Sequence, residues 1–459
     1  MTFNTLAYAD VNEFIFGKCK KPLTLKNGIK IGDGKVIPEV NFTLPPIEIS
    51  KENITEIIEE YKKITYSILK RAIELNQEEL VIEIELLPPM TLNPTWGAEI
   101  CKTVKDTISE YESKYNIRCG LRITPNDLRE MQRPVKLRNG NLLENILKTF
   151  ELCAQNGADM LAIESTGGKE LHDYSLMNGD IKGVLLSLGV LAPRDISFLW
   201  EKIISIANNT DTIPSGDTAC AFANTAMVLA EQKFIPKIFA AIDRVASVPR
   251  TLIPYTIGAV GPGKDCGYEN PYIKAIAGFP ISMEGKSSAC AHFSSVGNIA
   301  MSVADLWSNE SVQNIRLLSG YAPIVSTEQL IYDCRLVNKA LSNQETSLIV
   351  RDLLADSDAF LDVQAFVLHP KTVINIAKEI IKYSSAFLMT KYAIFATVEE
   401  IDKAIHDRLI SLDEKETKWL DFIKSEIEEI PDDEEKFIND IKNFYDNDLL
   451  LFNEYNISV

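Results

Sequence analysis

Short apolar runs that alternate with amphipathic helical stretches fill the first half of this 459-residue chain. Apolar residues recur at helical spacing over residues 51–75, behind a capping Ser50, and again over 98–111 and 141–156. The strand-like runs between and after these helices are LVIEIEL (80–86), IRCGLRI (117–123) and DMLAIES (159–165). Strands separated by helices of about 10–15 residues form right-handed βαβ units, so the pattern predicts a parallel sheet.

The extent of the alternation predicts the fold class. Roughly 250–300 residues of it in one piece favour a modified eight-stranded α/β barrel of the TIM type. We expect residues 1–50 to form an irregular arm or short hairpin, 51–325 to form the barrel, and 326–459 to form an acidic, nearly all-helical C-terminal layer. In such a barrel the chemistry lies at the carboxyl ends of the strands, so residues at strand-to-helix junctions carry most weight.

The charge balance excludes one class of partner. The chain has 47 Lys and Arg against 65 Asp and Glu, a formal net charge of −18. Residues 398–459 alone contain 19 acidic and 7 basic residues. Such a surface repels phosphate backbones and anionic lipid, so we expect no nucleic-acid partner.

The location of the protein is predicted from what the sequence lacks. The N-terminal stretch MTFNTLAYADVNEF shows neither the basic nor the apolar region of a secretion signal. Apolar stretches such as 183–192 reach about half of the ~20 residues that a membrane-spanning helix needs. We therefore expect a cytoplasmic protein without a membrane span, whose eight cysteines stay reduced.

Two common phosphate and ester motifs are not usable here. No G-x-G-x-x-G follows a strand, and G-x-S-x-G is absent. Residues 258–265, GAVGPGKD, match G-x-x-x-x-G-K, but Asp265 stands where a phosphate loop needs Ser or Thr. The better interpretation is a glycine-rich loop directly before Cys266, whose backbone can approach another group closely because glycine has no side chain.

Three residues at junctions or in loops form a candidate metal site. Glu164 closes the strand-like run MLAIE, Cys220 enters a helix in SGDTAC, and Cys266 lies in the Gly/Pro loop. Two thiolates and a carboxylate give zinc three protein ligands and leave one position open, as in catalytic zinc sites. The spacing alone leaves another interpretation open, in which both cysteines are packing residues and Glu164 is a solvated acid.

Three long stretches carry a family resemblance. They are ADMLAIESTGGKE (158–170), IPSGDTACAFANTAM (213–227) and residues 257–292, which begin IGAVGPGKDCGYENP. These stretches resemble the zinc-containing methanol:corrinoid methyltransferases of methanogens and related anaerobes, and the similarity covers nearly the whole chain. It implies a modified α/β barrel in which zinc is held by one Glu and two Cys, here Glu164, Cys220 and Cys266. Cys290, 24 residues after Cys266, remains a competing ligand.

The resemblance also implies a reaction and partners. The chain would transfer the methyl group of methanol to the cob(I)alamin of a separate, small corrinoid protein, with zinc activating the alcohol oxygen. None of the four histidines stands in a D-x-H-x-x-G corrinoid signature, so the corrinoid is expected on another chain. A homodimer bound to corrinoid proteins is implied. The alternatives are a methoxylated aromatic or methylamine donor, or a non-catalytic scaffold subunit.

Two further acids, Glu85 and Asp217, are candidates for a supporting role. Glu83 and Glu85 share one face of their strand, and Glu85 is nearer its carboxyl end, where it could protonate the departing oxygen. The alternative is a barrel-lining Glu85 paired with an arginine such as Arg122. Asp217 is expected to cap the helix that follows it, with orientation of the metal site as the second interpretation.

Overall fold

A curled parallel sheet is the frame on which the rest of the chain packs. The computed structural model describes residues 3–44, 47–291, 293–312, 317–318, 320–445 and 450–458. Within these residues the sheet has seven strands in the order β7-β6-β5-β4-β3-β9-β8, and β1 and β2 form a separate antiparallel pair. The strands are β1 (Lys18–Thr24), β2 (Lys30–Asp33), β3 (Ile37–Thr43), β4 (Glu79–Leu86), β5 (Arg118–Pro125), β6 (Met160–Ile163), β7 (Ile213–Asp217), β8 (Ser282–Glu284) and β9 (Leu306–Val312).

Helices follow most strands and make up the C-terminal region. They are α1 (Ile54–Glu74), α2 (Pro88–Leu92), α3 (Pro94–Lys114), α4 (Asn141–Gln155), α5 (Lys169–Asn178), α6 (Ile181–Leu186), α7 (Ala192–Thr210), α8 (Cys220–Glu231), α9 (Lys237–Ala246), α10 (Val248–Ile257), α11 (Asn270–Ala277), α12 (Lys286–Ala291), α13 (Ala322–Ala340), α14 (Gln344–Ala359), α15 (Val363–Phe366), α16 (Pro370–Ile380), α17 (Ala386–His406), α18 (Glu414–Glu429) and α19 (Glu434–Ile441). The mixed α/β class and the parallel sheet are therefore confirmed, as is the helical character of the chain after residue 326.

The inner face of β4 shows how the sheet is filled from one end to the other. Val81 lies at the amino end in an apolar cluster that includes Leu25 and Ile29 of the β1–β2 hairpin. Glu83, in the middle, is fully buried, and Glu85, at the carboxyl end, is 28% exposed. Because alternate residues of a strand share a face, the hairpin closes the amino end and leaves polar side chains at the carboxyl end.

The main difference from the sequence prediction lies before residue 50. The hairpin is present, but residues 37–43, expected in an irregular arm, form β3 between β4 and β9 in the sheet. Its sequence IPEVNFT alternates the polar residues Glu39 and Asn41 with apolar Val40 and Phe42, but this strand signal is short and lies in a turn-rich stretch. The adjacent prolines Pro45 and Pro46, whose sequence favours a turn, lie outside the described residues.

The number of strands and the length of one apolar helix differ from the sequence prediction. The described sheet has seven strands, one fewer than predicted. The continuous helical stretch Ile181–Thr210, which includes a π-helical turn at Ser187–Leu191, is by length and composition long and apolar enough to cross a membrane. However, 83% of its most apolar window is buried inside the protein, as in the core helix of a globular fold.

We predict that Lys274 of α11 is a strong contributor to stability. Its ammonium group, 0% exposed, donates to Ile15 O, Val303 O and Asp305 Oδ1 at 2.8–2.9 Å. Lys274→Met leaves the buried Asp305 carboxylate without its charge partner, so the variant should lose about 3–5 kcal/mol of unfolding free energy. Denaturation curves measure the loss. Lys102→Met, which removes only the exposed pair with Asp106, is the control and should unfold like the parent; equal stability of both variants would contradict the prediction.

Candidate metal centre

Glu164 lies in a tightly anchored turn directly after β6. The next two residues are held by buried acids: Ser165 N donates to Asp217 Oδ1 at 3.2 Å, and Thr166 N donates to Asp127 Oδ2 at 3.0 Å. Gly167 allows a close approach, because a Cβ there would lie 2.2 Å from Asp195 Oδ2. The turn therefore fixes the backbone of Glu164 without any ligand.

Cys220 is the first residue of α8, and two residues, Thr218 and Ala219, separate it from the end of β7. Its N–H donates to Thr218 Oγ1 at 3.1 Å, and the preceding Ala219 N–H donates to Glu269 Oε1 at 2.6 Å. The predicted capping role of Asp217 is wrong, because this carboxylate accepts from Ser165 N and from Trp200 Nε1 at 2.7 Å. Asp217 joins the backbone segments that carry Glu164 and Cys220, which agrees with the second interpretation.

Cys266 lies in the glycine-rich loop that runs beside β7. Val260 N and Gly261 N donate to Pro214 O and Ser215 O of β7 at 3.0 and 2.8 Å. The Arg122 guanidinium of β5 donates from inside the sheet to Pro262 O at 3.2 Å and to Gly263 O at 2.9 Å. The loop therefore bends around protein groups, and its Lys264 contacts carboxylates, so it has no role as a phosphate loop.

The three predicted donors meet at the carboxyl ends of the strands. One donor atom each from Glu164, Cys220 and Cys266 lies within 4.8 Å of the other two. Cys266 Sγ lies 2.9 Å from Glu164 Oε1, and Asn224 Nδ2 donates to Cys220 Sγ at 2.9 Å. Cys220 and Cys266 are buried, at 5% and 6% exposure, whereas the Glu164 side chain is 30% exposed. The group is thus open to solvent on its carboxylate side.

The electrostatics of these donors favour a cation among them. Burial raises the pKa of Cys266 well above its usual range, and Cys220 and Glu164 raise it further. The Cys266 thiol lowers the pKa of Cys220, but burial and the Glu164 charge outweigh it and raise that pKa. Deprotonating both thiols beside a carboxylate without a cation is therefore unfavourable. A divalent metal removes this repulsion, and a sulfur-rich donor set suits zinc.

Lys264 is the central cation of the site, and sequence reasoning missed it. Its Nζ forms ion pairs with Glu85 Oε1, with Asp265 Oδ1 at 2.5 Å and with Glu164 Oε1 at 3.3 Å, and it lies 3.8 Å from Cys266 Sγ. The side chain is 1% exposed. Its place two residues before a candidate ligand, in a glycine-rich loop, was the available signal.

A layer of buried ion pairs lies beneath the site. Arg122 Nη2 donates to Glu39 Oε2 at 2.6 Å and to Glu83 Oε2 at 3.1 Å. Burial raises the pKa of Glu83 to about 8, even though Arg122 opposes the shift. Burial would also raise the pKa of Asp265, but Lys264 and Arg122 outweigh it and hold that pKa at about 2. Burial therefore disfavours the charged form of Glu83 more than that of Asp265, which stays ionised.

Glu85 pairs with Lys264, which also pairs with Glu164, and not with Arg122. Arg122 contacts Glu83, whereas Glu85 Oε1 accepts from Lys264 Nζ and, at 3.0 Å, from Asn41 Nδ2. Glu85 and Glu164 thus share one ammonium group. The side chain of Glu85 is 28% exposed, so its carboxylate faces the opening of the site.

The other cysteines lie apart from this group. Four of them are buried in the core, namely Cys101, Cys119, Cys153 and Cys334, and Cys19 is half-buried. Cys290 of α12 is exposed, and in the described residues it belongs to no group of metal-binding side chains within 4.8 Å of one another. Its geometry gives no support to the competing ligand assignment.

The resemblance found in the sequence is confirmed by comparison with known proteins. A methanol–corrinoid protein co-methyltransferase from Methanosarcina barkeri (strain Fusaro / DSM 804) is 39% identical over 459 residues, which cover 99% of this chain and 98% of the relative. The crystal structure of the methanol:cobalamin methyltransferase complex MtaBC from Methanosarcina barkeri contains a chain that matches with a TM-score of 0.95 and 38% identity over 99% of both chains. Residues 1–457 match the family described as methanol-cobalamin methyltransferase B subunit, and the chain belongs to this family.

Proposed function

We propose that this protein transfers the methyl group of methanol to the reduced corrinoid of a separate protein, at a zinc ion held by Glu164, Cys220 and Cys266. The observation that carries the proposal is the meeting of these three donors within 4.8 Å at the carboxyl ends of the strands. Family membership over residues 1–457 supports the reaction and the corrinoid partner. Three protein ligands leave a position for the alcohol.

The reaction needs help because hydroxide is a poor leaving group. The C–O bond of methanol breaks, cob(I)alamin supplies both electrons of the new carbon–cobalt bond, and the oxygen takes a proton and leaves as water. Zinc, when bound, supplies Lewis acidity toward the alcohol oxygen. The chain itself positions the groups and supplies the proton.

Lys264 and Glu85 are the residues that we assign to charge and proton control. The Lys264 ammonium group lies 3.3 Å from Glu164 Oε1 and 3.8 Å from Cys266 Sγ, so it offsets part of the negative charge of the ligand set. Glu85 shares this ammonium with Glu164 and is 28% exposed toward the opening. We assign Glu85 to delivering the proton to the departing oxygen or to orienting the alcohol.

We propose that the sheet corresponds to an eight-stranded barrel with one irregular position. Residues 260–261 donate two backbone hydrogen bonds to β7, as a neighbouring parallel strand does. They precede β8 in the chain, so they take the position between β7 and β8. The division at residues 50 and 325 remains our proposal for the domain boundaries, with β3 as the exception on the N-terminal side.

We further propose a cytoplasmic homodimer that binds corrinoid proteins. The C-terminal helices offer an apolar surface for a second copy: Tyr332 and Leu336 of α13 are 51% and 68% exposed, and Ile349 and Leu353 of α14 are 53% and 67% exposed. Each pair is four residues apart, so it lies on one helix face. Exposed apolar faces of this kind mark protein contacts.

Removing either thiol should remove the metal. We predict that Cys220→Ala and Cys266→Ala reduce the zinc content from about one ion per chain to nearly none, and that methyl transfer falls with it. Elemental analysis and methylcobalamin formation are the two measurements. Cys290→Ala is the matched control and should keep both zinc and activity. Loss of zinc in Cys290→Ala but not in Cys266→Ala would overturn the ligand assignment.

Replacing Glu85 should slow the reaction without removing zinc. Glu85→Gln keeps the shape of the side chain but removes its acid–base function, so we predict a fall in kcat of about 10²–10⁴-fold at unchanged zinc content. Glu79→Gln, at the opposite end of β4, is the control and should retain the parent kcat. Full activity of Glu85→Gln would refute the role.

The methyl donor can be tested directly. We predict that methylcobalamin forms with methanol and not with methoxybenzoate or methylamines, since the family is defined by methanol. Free cobalamin or a purified corrinoid protein serves as acceptor, and the spectrum of cob(I)alamin reports its consumption. A faster reaction with methoxybenzoate or a methylamine would favour the alternative donors, and no reaction with any donor would favour a scaffold subunit.

A further inference from the structure

Asn224 of α8 lies one helical turn after the candidate ligand Cys220. Residues four apart share a helix face, and Asn224 Nδ2 donates to Cys220 Sγ at 2.9 Å. In the described part of the chain this amide forms no other hydrogen bond, and its Oδ1 atom is buried without a partner. The hydrogen bonding of Asn224 is therefore directed entirely at a sulfur of the candidate metal centre.

Stability alone does not account for an asparagine at this position. Asn is a weaker helix former than Ala or Leu, and a buried amide oxygen without a hydrogen bond is unfavourable. The next residue shows the common arrangement of a polar side chain inside a helix, since Thr225 Oγ1 donates to Ala221 O at 3.1 Å. Asn224 does not bond to the helix backbone in this way. A smaller or apolar residue would suit the helix better, so the N–H donor is what this position contributes.

The orientation of the amide suits a deprotonated sulfur. A thiolate carries no proton and can only accept, so the nitrogen of an amide must face it and the oxygen must point elsewhere. A hydrogen bond to an ionised acceptor is also stronger than one to a neutral group. Asn224 therefore favours the thiolate form of Cys220, which is the form that binds a metal.

The other two candidate ligands face a different donor. Lys264 Nζ lies 3.8 Å from Cys266 Sγ and 3.3 Å from Glu164 Oε1. The ammonium group thus contacts two of the three ligands, and Asn224 contacts the third. Donors behind the ligands fix their orientation and withdraw electron density from them. Because two thiolates and a carboxylate donate strongly to a metal, this withdrawal leaves the metal more electron-poor.

We propose that Asn224 is a positioning residue for the reaction. Its hydrogen bond holds the Cys220 thiolate in place and weakens the donation of that sulfur, so the bound metal is a stronger Lewis acid toward the alcohol oxygen. The inference rests on the proposed function, since it requires a metal at Glu164, Cys220 and Cys266. It assigns to Asn224 no contact with the substrate.

Cobalt(II) in place of zinc gives the sulfur–metal bonds a spectrum in which this role can be measured. The parent protein should show a thiolate-to-cobalt charge-transfer band. Asn224→Ala removes the hydrogen bond and raises the energy of the sulfur electrons, so the band should move to longer wavelength. Zinc affinity, and methyl transfer at saturating zinc, should each fall about 10–100-fold. The metal-free variant should melt no lower than the metal-free parent, because Ala is the better helix former.

A matched control and a second variant complete the test. Thr225→Ala makes a similar truncation at the next position and removes only bonds to Ala221 O and Lys169, so it should keep the parent band, affinity and rate. Asn224→Leu keeps water out of the place of the amide and should behave like Asn224→Ala. An unshifted band in both Asn224 variants, or an equal shift in Thr225→Ala, overturns the role of Asn224 while the metal site stands. The absence of a thiolate band in the parent overturns the proposed metal site, and the role of Asn224 with it.

Discussion

One buried guanidinium connects the sheet to the loop on which the candidate metal centre depends. Arg122 of β5 pairs with Glu39 of β3 and Glu83 of β4, so three strands meet at a single cation. The same side chain donates to the carbonyl oxygens of Pro262 and Gly263. These contacts hold the glycine-rich loop against the inside of the sheet, and Cys266 follows three residues later. The position of that thiol is therefore set by an ion pair in the core.

Charge in this region is arranged in two layers. Arg122 pairs with the lower carboxyls, Glu39 and Glu83, and opposes the rise that burial causes in the pKa of Glu83. Lys264 lies among the upper carboxyls, Glu85, Asp265 and Glu164. Two thiols at the top add further potential negative charge, and Lys264 is the cation that contacts this layer. Because deprotonation of buried thiols beside carboxylates requires a compensating charge, the upper layer suits a divalent metal.

The three candidate metal ligands could be predicted from the sequence, whereas Lys264 and β3 could not. Strand-to-helix junctions made Glu164, Cys220 and Cys266 candidates, and the family resemblance named them as a ligand set. The structure places the three donors within 4.8 Å of one another. The role of Lys264 could not be predicted, since the residue types of a loop do not show which side chain points into the sheet. β3 was missed although residues 39–42 alternate polar and apolar side chains, because the segment is short and lies in a turn-rich stretch. The pairing of Glu39 with Arg122, 83 residues away, could not be predicted from the segment itself.

The backbone around the candidate ligands is held by the chain's own hydrogen bonds. Residues next to each ligand carry the anchors: Ser165 and Thr166 bond to Asp217 and Asp127, Ala219 bonds to Glu269, and Cys266 N bonds to Asp265 Oδ1 at 2.9 Å. All of these acceptors are buried carboxylates of the chain, and none is a candidate ligand. A metal that binds here would order little additional backbone, so its binding free energy would contribute little to folding. Structural zinc sites differ, since there the metal supplies folding energy. A fold that does not depend on the metal can leave one coordination position open, as a catalytic site requires.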